Sequence, residues 1–97
     1  MFYRDGTMSK NTQHQVATAL FDERRFQDVK HGTIESKPHT LGEWILIIES
    51  ELAEAKQALI KGGKGRDNVI SELVQVGACA MGALEEHGLM PIEKRSI

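Results

Sequence analysis

The two prolines and the one cluster of glycines fall in three short stretches of this chain. The prolines are Pro38 and Pro91, and three of the glycines gather in a single loop. These breaks, near residues 32–40, 61–66 and 88–91, leave three long uninterrupted segments between them. No segment alternates polar and apolar residues over a useful length, as an exposed strand would. The sequence therefore predicts an all-α fold, a bundle of three main helices.

The second segment has the clearest helix start in the sequence. Thr40 can cap the helix, and Glu43 three residues later completes a capping box just before an apolar run. Gly32 and Gly88 are predicted to stop the first and third helices, because glycine adopts the C-terminal left-handed conformation at little cost. We therefore place the three helices at about Asn11–His31, Leu41–Lys61 and Asp67–His87.

Apolar side chains recur at helical spacing in these segments. On the second helix each apolar residue follows the last by three or four positions, which predicts one packed face. Residues 76–84 are apolar or small all the way round, which predicts a central position for the third helix. The predicted packed face of the second helix comprises Leu41, Ile45, Ile48, Leu52, Ala55 and Leu59.

The length of the chain limits how much surface it can bury alone. Its 97 residues form one domain, 1–97, since chains divide into two cores only at much greater length. Such a domain buries roughly 60–65% of its unfolded surface, so pairing with itself would add stability. We expect a homodimer or homotetramer. Residues 1–10 and 91–97 have little apolar periodicity and are expected to be mobile or partner-dependent tails.

Charge and cysteine content exclude several functional classes. Fourteen acidic and 12 basic residues give a net charge of −2, a field that does not favour nucleic-acid binding. The lone Cys79 cannot close an intrachain disulfide, so we expect a reduced, cytoplasmic protein. Trp44–Ile48, the longest mainly apolar stretch, is far shorter than the roughly 20 residues of a membrane span. Residues 1–10 lack the apolar core of a signal peptide.

The spacing of three glutamates predicts a metal site. Glu51 and Glu54 lie three residues apart on the second helix, and Glu72 lies near the start of the third. Side chains at such spacing are about 5–6 Å apart at Cβ, so their carboxylates can share a hard cation. Mg²⁺ or Mn²⁺ fits such oxygen ligands. The alternative interpretation is a solvated acidic face, which is common for an isolated Glu-x-x-Glu.

Three short motifs support a resemblance to a known family. They are Glu51-Leu52-Ala53-Glu54-Ala55, Glu72-Leu73-Val74-Gln75-Val76 and His87-Gly88-Leu89, with a glycine-broken loop after the first. Over about residues 40–90 the chain resembles the all-α nucleoside triphosphate pyrophosphohydrolases of the MazG-like family. Residues 23–32 and 39–44 look like the first helix and loop of its short phage-type members, which extends the resemblance over most of the chain.

The resemblance implies an activity and a cofactor. Such proteins use Mg²⁺ to help water split a nucleoside triphosphate between the α- and β-phosphates, and the phage-type members imply purine deoxynucleotides and phage or mobile-element nucleotide metabolism. By position, Glu51, Glu54 and Glu72 match the family's metal-binding and catalytic carboxylates. Gln75 stands where the family has the Asp that is its fourth ligand. Because a glutamine offers one neutral oxygen, we expect weaker metal binding.

Nucleotide binding would draw on three further regions of the chain. The tryptophan could line the base pocket, polar residues of the first helix could hydrogen-bond base or phosphate, and the cationic glycine-rich loop could hold phosphates. Core packing for the tryptophan and a plain connector for the loop are the alternative interpretations. These substrate-binding candidates are Gln27, Asp28, Lys30, Trp44, Lys64 and Arg66, with Lys61 beside the last two.

Two functions remain open from the sequence. The first is a homo-oligomeric, Mg²⁺-dependent nucleoside triphosphate pyrophosphohydrolase. The second is a catalytically weak or inactive MazG-like scaffold that binds nucleotide or a protein partner, and Gln75 is the residue that favours it. Thiol chemistry is not expected, because Cys79 lies within an apolar helix and is interpreted as a buried small residue.

Overall fold

The protein is all-α, as predicted. The computed structural model describes residues 11–62 and 66–91, with no strand among them. They form three helices, α1 (Gln13–His31), α2 (Leu41–Lys61) and α3 (Arg66–His87). None of the helices in this described part is long and apolar enough to cross a membrane. The predicted tail 1–10, residues 92–97 of the other tail and Lys64 lie outside the described residues.

Side-chain capping fixes where α1 and α2 begin. The predicted capping box is confirmed at α2, where Glu43 N donates to Thr40 Oγ1 at 3.1 Å and Thr40 N donates to Glu43 Oε1 at 2.8 Å. A second capping box joins Thr12 and Gln15, so α1 begins two residues later than predicted. Helix α2 begins as predicted because its cap is encoded by four consecutive residues, and it ends as predicted at Lys61, before the left-handed Gly62.

Helix α3 lies at the centre of the molecule, as predicted. It packs against both other helices, whereas α1 and α2 make no close backbone contact with each other within the described ranges. Two glycines let the neighbours approach. A Cβ added at Gly77 would lie 2.6 Å from Leu20 Cδ2 of α1, and one added at Gly82 would lie 2.6 Å from Trp44 Cη2 of α2. Close packing on both sides of α3 therefore depends on missing side chains.

The core of the single chain is small. Large aliphatic side chains are largely absent from it, and no large side chain of the described residues is fully buried. One charged residue, Arg24, is buried among them. The buried apolar residues are Trp44, Ala55, Ala58, Ala78, Cys79 and Ala83.

The prediction of a packed apolar face on α2 was wrong for this chain. Leu41, Ile45, Leu52 and Leu59 are each more than half exposed, and of the predicted face only Ala55 is buried. Apolar periodicity locates the most hydrophobic stripe, but not the partner that covers it. The stripe that faces α3 is shifted by about one residue toward the N-terminus relative to the predicted one, and it contains smaller and polar side chains. Its buried or half-buried members are Trp44, Ile48, Glu51, Ala55 and Ala58.

Candidate metal and nucleotide site

Three glutamates converge where α2 packs against α3. Glu51 lies on the α3-facing stripe of α2, and Glu54 lies beside it one turn further on. Glu72, half-buried on α3, faces both of them. One carboxylate oxygen from each of the three lies within 4.8 Å of the others. The convergence that their spacing predicted is therefore present, and three oxygens at such distances can share one hard cation.

Two oxygens of this glutamate cluster are buried without a partner. Glu51 Oε1 and Glu72 Oε1 are inaccessible to solvent and accept no hydrogen bond from the described residues. A buried acceptor left unsatisfied costs about 1–3 kcal/mol, and more when it is charged. A cation held between these oxygens would satisfy both. The glutamate cluster thus fits a divalent metal by its chemistry and by the geometry of its unpaired atoms.

Electrostatic repulsion acts within the glutamate cluster. Burial raises the pKa of Glu51 above its ordinary value, and the charges of Glu54, Glu72 and Glu23 raise the same pKa further, in that order. The cation of Lys30 lowers this pKa but does not reverse the shift. Proximity that raises a carboxyl pKa is unfavourable for the folded protein. Such arrangements are characteristic of functional sites, because the repulsion is relieved when a cation binds.

A cavity lies beside the glutamate cluster. It occupies about 720 Å³ between α1 and α2, with α3 as its floor. This volume lies within the range of small-molecule sites, roughly 300–1,000 Å³. Carboxylates of Glu51 and Glu54 line it, together with the cationic Lys30 and Lys37 and the apolar side chain of Ile47. A ligand here would meet anionic, cationic and apolar groups within one cleft.

A second, shallower cavity adjoins the glutamate cluster from the other side. It occupies about 440 Å³ between α2 and α3 and is lined by Glu54, Glu72, Asn68 and Lys61 among others. Glu54 lines both cavities. The glutamate cluster therefore separates two spaces on the surface, and a ligand bound across it would have room on both sides.

The substrate-binding candidates predicted from the sequence are only partly brought together. Gln27, Lys30 and Trp44 line the larger cavity, and Gln75 lines it too. Asp28 is not among the residues that line it, and its carboxylate accepts a 2.6 Å hydrogen bond from Arg24 Nη1. Two further candidates lie outside the described residues: Lys64 and the side chain of Arg66.

Gln27 joins α1 to the floor of the larger cavity. Its Nε2 donates to the backbone oxygen of Gln75 at 3.4 Å and lies 3.5 Å from Cys79 Sγ. Cys79 is buried, as predicted, and burial together with the charge of Glu51 raises the pKa of its thiol. A thiol with a raised pKa stays protonated at neutral pH and is a poor nucleophile.

Three polar contacts beside this cavity were not predicted from the sequence. Arg24 lies buried against α3, where its Nε donates to Glu85 at 3.1 Å. Glu86 accepts hydrogen bonds from Trp44 Nε1 and from the backbone of His39. The partners are 42 to 61 residues apart, so no local pattern could reveal them. The two acceptors, Glu85 and Glu86, directly follow the apolar stretch 76–84 of α3, which is the nearest local signal of such contacts.

Comparison of the chain with protein-family models, with curated proteins and with solved structures finds no match.

Proposed function

We propose that this protein is a divalent-cation-dependent nucleoside triphosphate pyrophosphohydrolase of the cytoplasm. The observation that carries the proposal is the convergence of three glutamates, two of them with buried unpartnered oxygens, beside a cavity of nucleotide size. The resemblance of the motifs around Glu51, Glu54 and Glu72 to the MazG-like family supports the same reaction. Purine deoxynucleoside triphosphates are the substrates that this resemblance favours.

The glutamates would act as the cation ligands of this reaction. Glu51, Glu54 and Glu72 would hold Mg²⁺ or Mn²⁺ through three carboxylates, which leaves room for waters and phosphate oxygens as further ligands. When bound, the metal neutralises phosphate charge and makes a water more acidic. Lys30 brings positive charge to the same cavity, which favours a polyphosphate there. Trp44 and Ile47 provide apolar wall area for a base.

Gln75 supports the alternative of a weak or inactive MazG-like scaffold. It lines the larger cavity, and its side chain carries no charge where the family pattern has a carboxylate. On this alternative the protein binds nucleotide, or a protein partner, without turnover. Three carboxylates with phosphate oxygens still satisfy the needs of Mg²⁺, so we favour the enzyme.

We further propose that a second copy of the chain covers the exposed apolar flank of α2. Leu41, Ile45, Leu52 and Leu59 lie along one line of the helix and are 53–69% exposed, which is unusual for a stable monomer. This flank lies beside the stripe that packs on α3 and away from the two cavities, so pairing would leave the site open. The small core of the single chain gives the physical reason for pairing.

The reaction can be tested with a panel of ribo- and deoxynucleoside triphosphates and Mg²⁺ or Mn²⁺. We expect pyrophosphate release by the wild type and none by Glu54→Gln, which removes one ligand charge while keeping shape. Glu49→Gln makes the same substitution on an exposed residue of α2 that lines neither cavity, and it should retain activity. Nucleotide binding without pyrophosphate release would favour the scaffold over the enzyme.

A further inference from the structure

One face of α1 packs against α3 at the floor of the larger cavity. Leu20 contacts α3 at Gly77, and Gln27 hydrogen-bonds the backbone of Gln75. Glu23 lies three residues after Leu20 and four before Gln27, so it belongs to the same helical face. Its side chain is half-buried and lines the cavity. The packing of α1 on α3 therefore places a fourth carboxylate within the site.

Glu23 shares the larger cavity with two members of the glutamate cluster, Glu51 and Glu54. A negative charge on the wall of this cavity attracts a cation held there. The oxygens of Glu23 lie outside the group of three that come within 4.8 Å of one another. Glu23 thus lies on the cavity beside the glutamate cluster but outside the three carboxylates that converge.

Resting on the proposed function, we infer that Glu23 is a positioning residue that supplies the fourth negative charge toward the cation held by Glu51, Glu54 and Glu72. Gln75 of α3 lines the same cavity but carries no charge, so the additional negative charge comes from α1. Mg²⁺ keeps several waters when protein-bound, and carboxylates outside the direct ligands orient such waters. Because this charge comes from α1, the affinity for the cation also depends on the packing of α1 against α3.

Calorimetric titration with Mn²⁺ alone, without nucleotide, tests this inference. We expect Glu23→Gln to weaken Mn²⁺ binding about tenfold, the lower end of the effect of losing an outer carboxylate. Adding Gln75→Asp to that variant restores a carboxylate from α3 and should recover the affinity. Glu49→Gln, which changes the same charge at an exposed position, should bind Mn²⁺ as the wild type does.

The outcomes separate this inference from the function on which it rests. Unchanged Mn²⁺ affinity in Glu23→Gln overturns the role of Glu23 and leaves the proposed function standing. Absence of Mn²⁺ binding by the wild type overturns the cation site itself, and with it this inference. Thermal unfolding without metal distinguishes a folding defect, because loss of a repelling charge should leave the melting temperature of Glu23→Gln unchanged or higher.

Discussion

Trp44 Nε1 donates a hydrogen bond of 2.8 Å to Glu86 Oε1, which joins the first turn of α2 to the last turn of α3. The same carboxylate accepts from the backbone N–H of His39, and His87 Nε2 donates to His39 O at 2.8 Å. Four residues thereby fix the connection between α1 and α2 over one end of α3. Because Trp44 also lines the larger cavity, these hydrogen bonds hold one wall of the candidate site.

The contacts of Glu86 predict a specific loss of stability in acid. Its hydrogen bonds to Trp44 and His39 lower its pKa below the ordinary value of 4.5. A carboxyl with a lowered folded-state pKa adds stability above its unfolded-state pKa, and that stability is lost as pH falls through the folded-state pKa. Glu86→Gln should therefore melt at a lower temperature than the wild type at pH 7. The difference should shrink as pH falls below 4.5, whereas a difference independent of pH would contradict the role of charge.

Close packing at Gly82 predicts that even a methyl group there is destabilising. A Cβ at this position would lie 2.6 Å from Trp44 Cη2 and 3.1 Å from Arg24 Nε, both of which are held by other contacts. Overpacking costs about 1–3 kcal/mol, and the better helix propensity of alanine offsets about 1 kcal/mol. We expect Gly82→Ala to lose about 1 kcal/mol, a Tm decrease of about 4–8 °C, in a thermal melt.

Gly42 offers a matched control for this substitution. It lies in the first turn of α2, where an added Cβ would meet only Thr40 Oγ1, at 3.9 Å. Gly42→Ala should be neutral or stabilising by a few tenths of a kcal/mol, since alanine favours the helix. Equal destabilisation by both variants would show that the approach of α2 and α1 to α3 at Gly82 is looser than described.

The exposed flank of α2 predicts that a single charged substitution there separates the paired chains. Leu52→Glu places a carboxylate among Leu41, Ile45 and Leu59, where burial against a second copy would desolvate it. We expect the wild type to sediment as a dimer or larger species and Leu52→Glu to sediment as a monomer of similar helix content. Leu46→Glu is the control, because Leu46 is equally apolar, 64% exposed and about 120° around the helix. A monomeric wild type would contradict the interface.

Divalent cations should stabilise the folded chain. At a free Mn²⁺ concentration 100 times the Kd, binding adds about 2.7 kcal/mol, a Tm increase on the order of 10 °C for a domain of this size. Glu72→Gln should remove most of this increase, because Glu72 is the only one of the three glutamates on α3. Mg²⁺ should act similarly, and added EDTA should return the melting curve to that of the metal-free protein.

The pKa of Glu51 predicts how this stabilisation changes with pH. A carboxyl with a raised folded-state pKa binds more protons folded than unfolded, so the metal-free protein loses stability as pH rises from 4.5 through that raised pKa. Cation binding has the opposite dependence, since it needs the ionised carboxylates. The Tm increase caused by Mn²⁺ should therefore diminish as pH falls from 7 toward 5. An increase that is independent of pH would place the cation elsewhere.

Local signals made much of the fold predictable. Thr40 and Glu43 encode the start of α2 within four residues, and Gly32 and Gly88 end helices with positive φ of 98° and 97°. The small residues around 76–84 indicated the central helix because only a helix with neighbours on several sides needs them. The convergence of the three glutamates was also predictable from their spacing, since two share α2 and the third lies near the start of α3, after a short loop.

The rotation of α2 and the position of Glu23 could not be predicted, because they depend on contacts between residues distant in the sequence. The inward rotation of α2 follows from Trp44 packing against Gly82, and no pattern within α2 fixes that rotation. Glu51 therefore faces α3, although the apolar stripe was predicted to be the packed face of α2. Glu23 reaches the cavity only because α1 docks through Leu20 and Gln27, which lie 48 or more residues from their partners.

Hydrolysis followed by ³¹P NMR in ¹⁸O-labelled water tests the central claim most directly. With Mg²⁺ and a deoxynucleoside triphosphate, the account predicts a monophosphate that carries the ¹⁸O label and pyrophosphate that does not, because water attacks the α-phosphorus. Glu54→Gln should give no product under the same conditions. Release of a nucleoside diphosphate and labelled inorganic phosphate, or no reaction by a wild type that binds Mn²⁺ and nucleotide, would contradict the proposed activity.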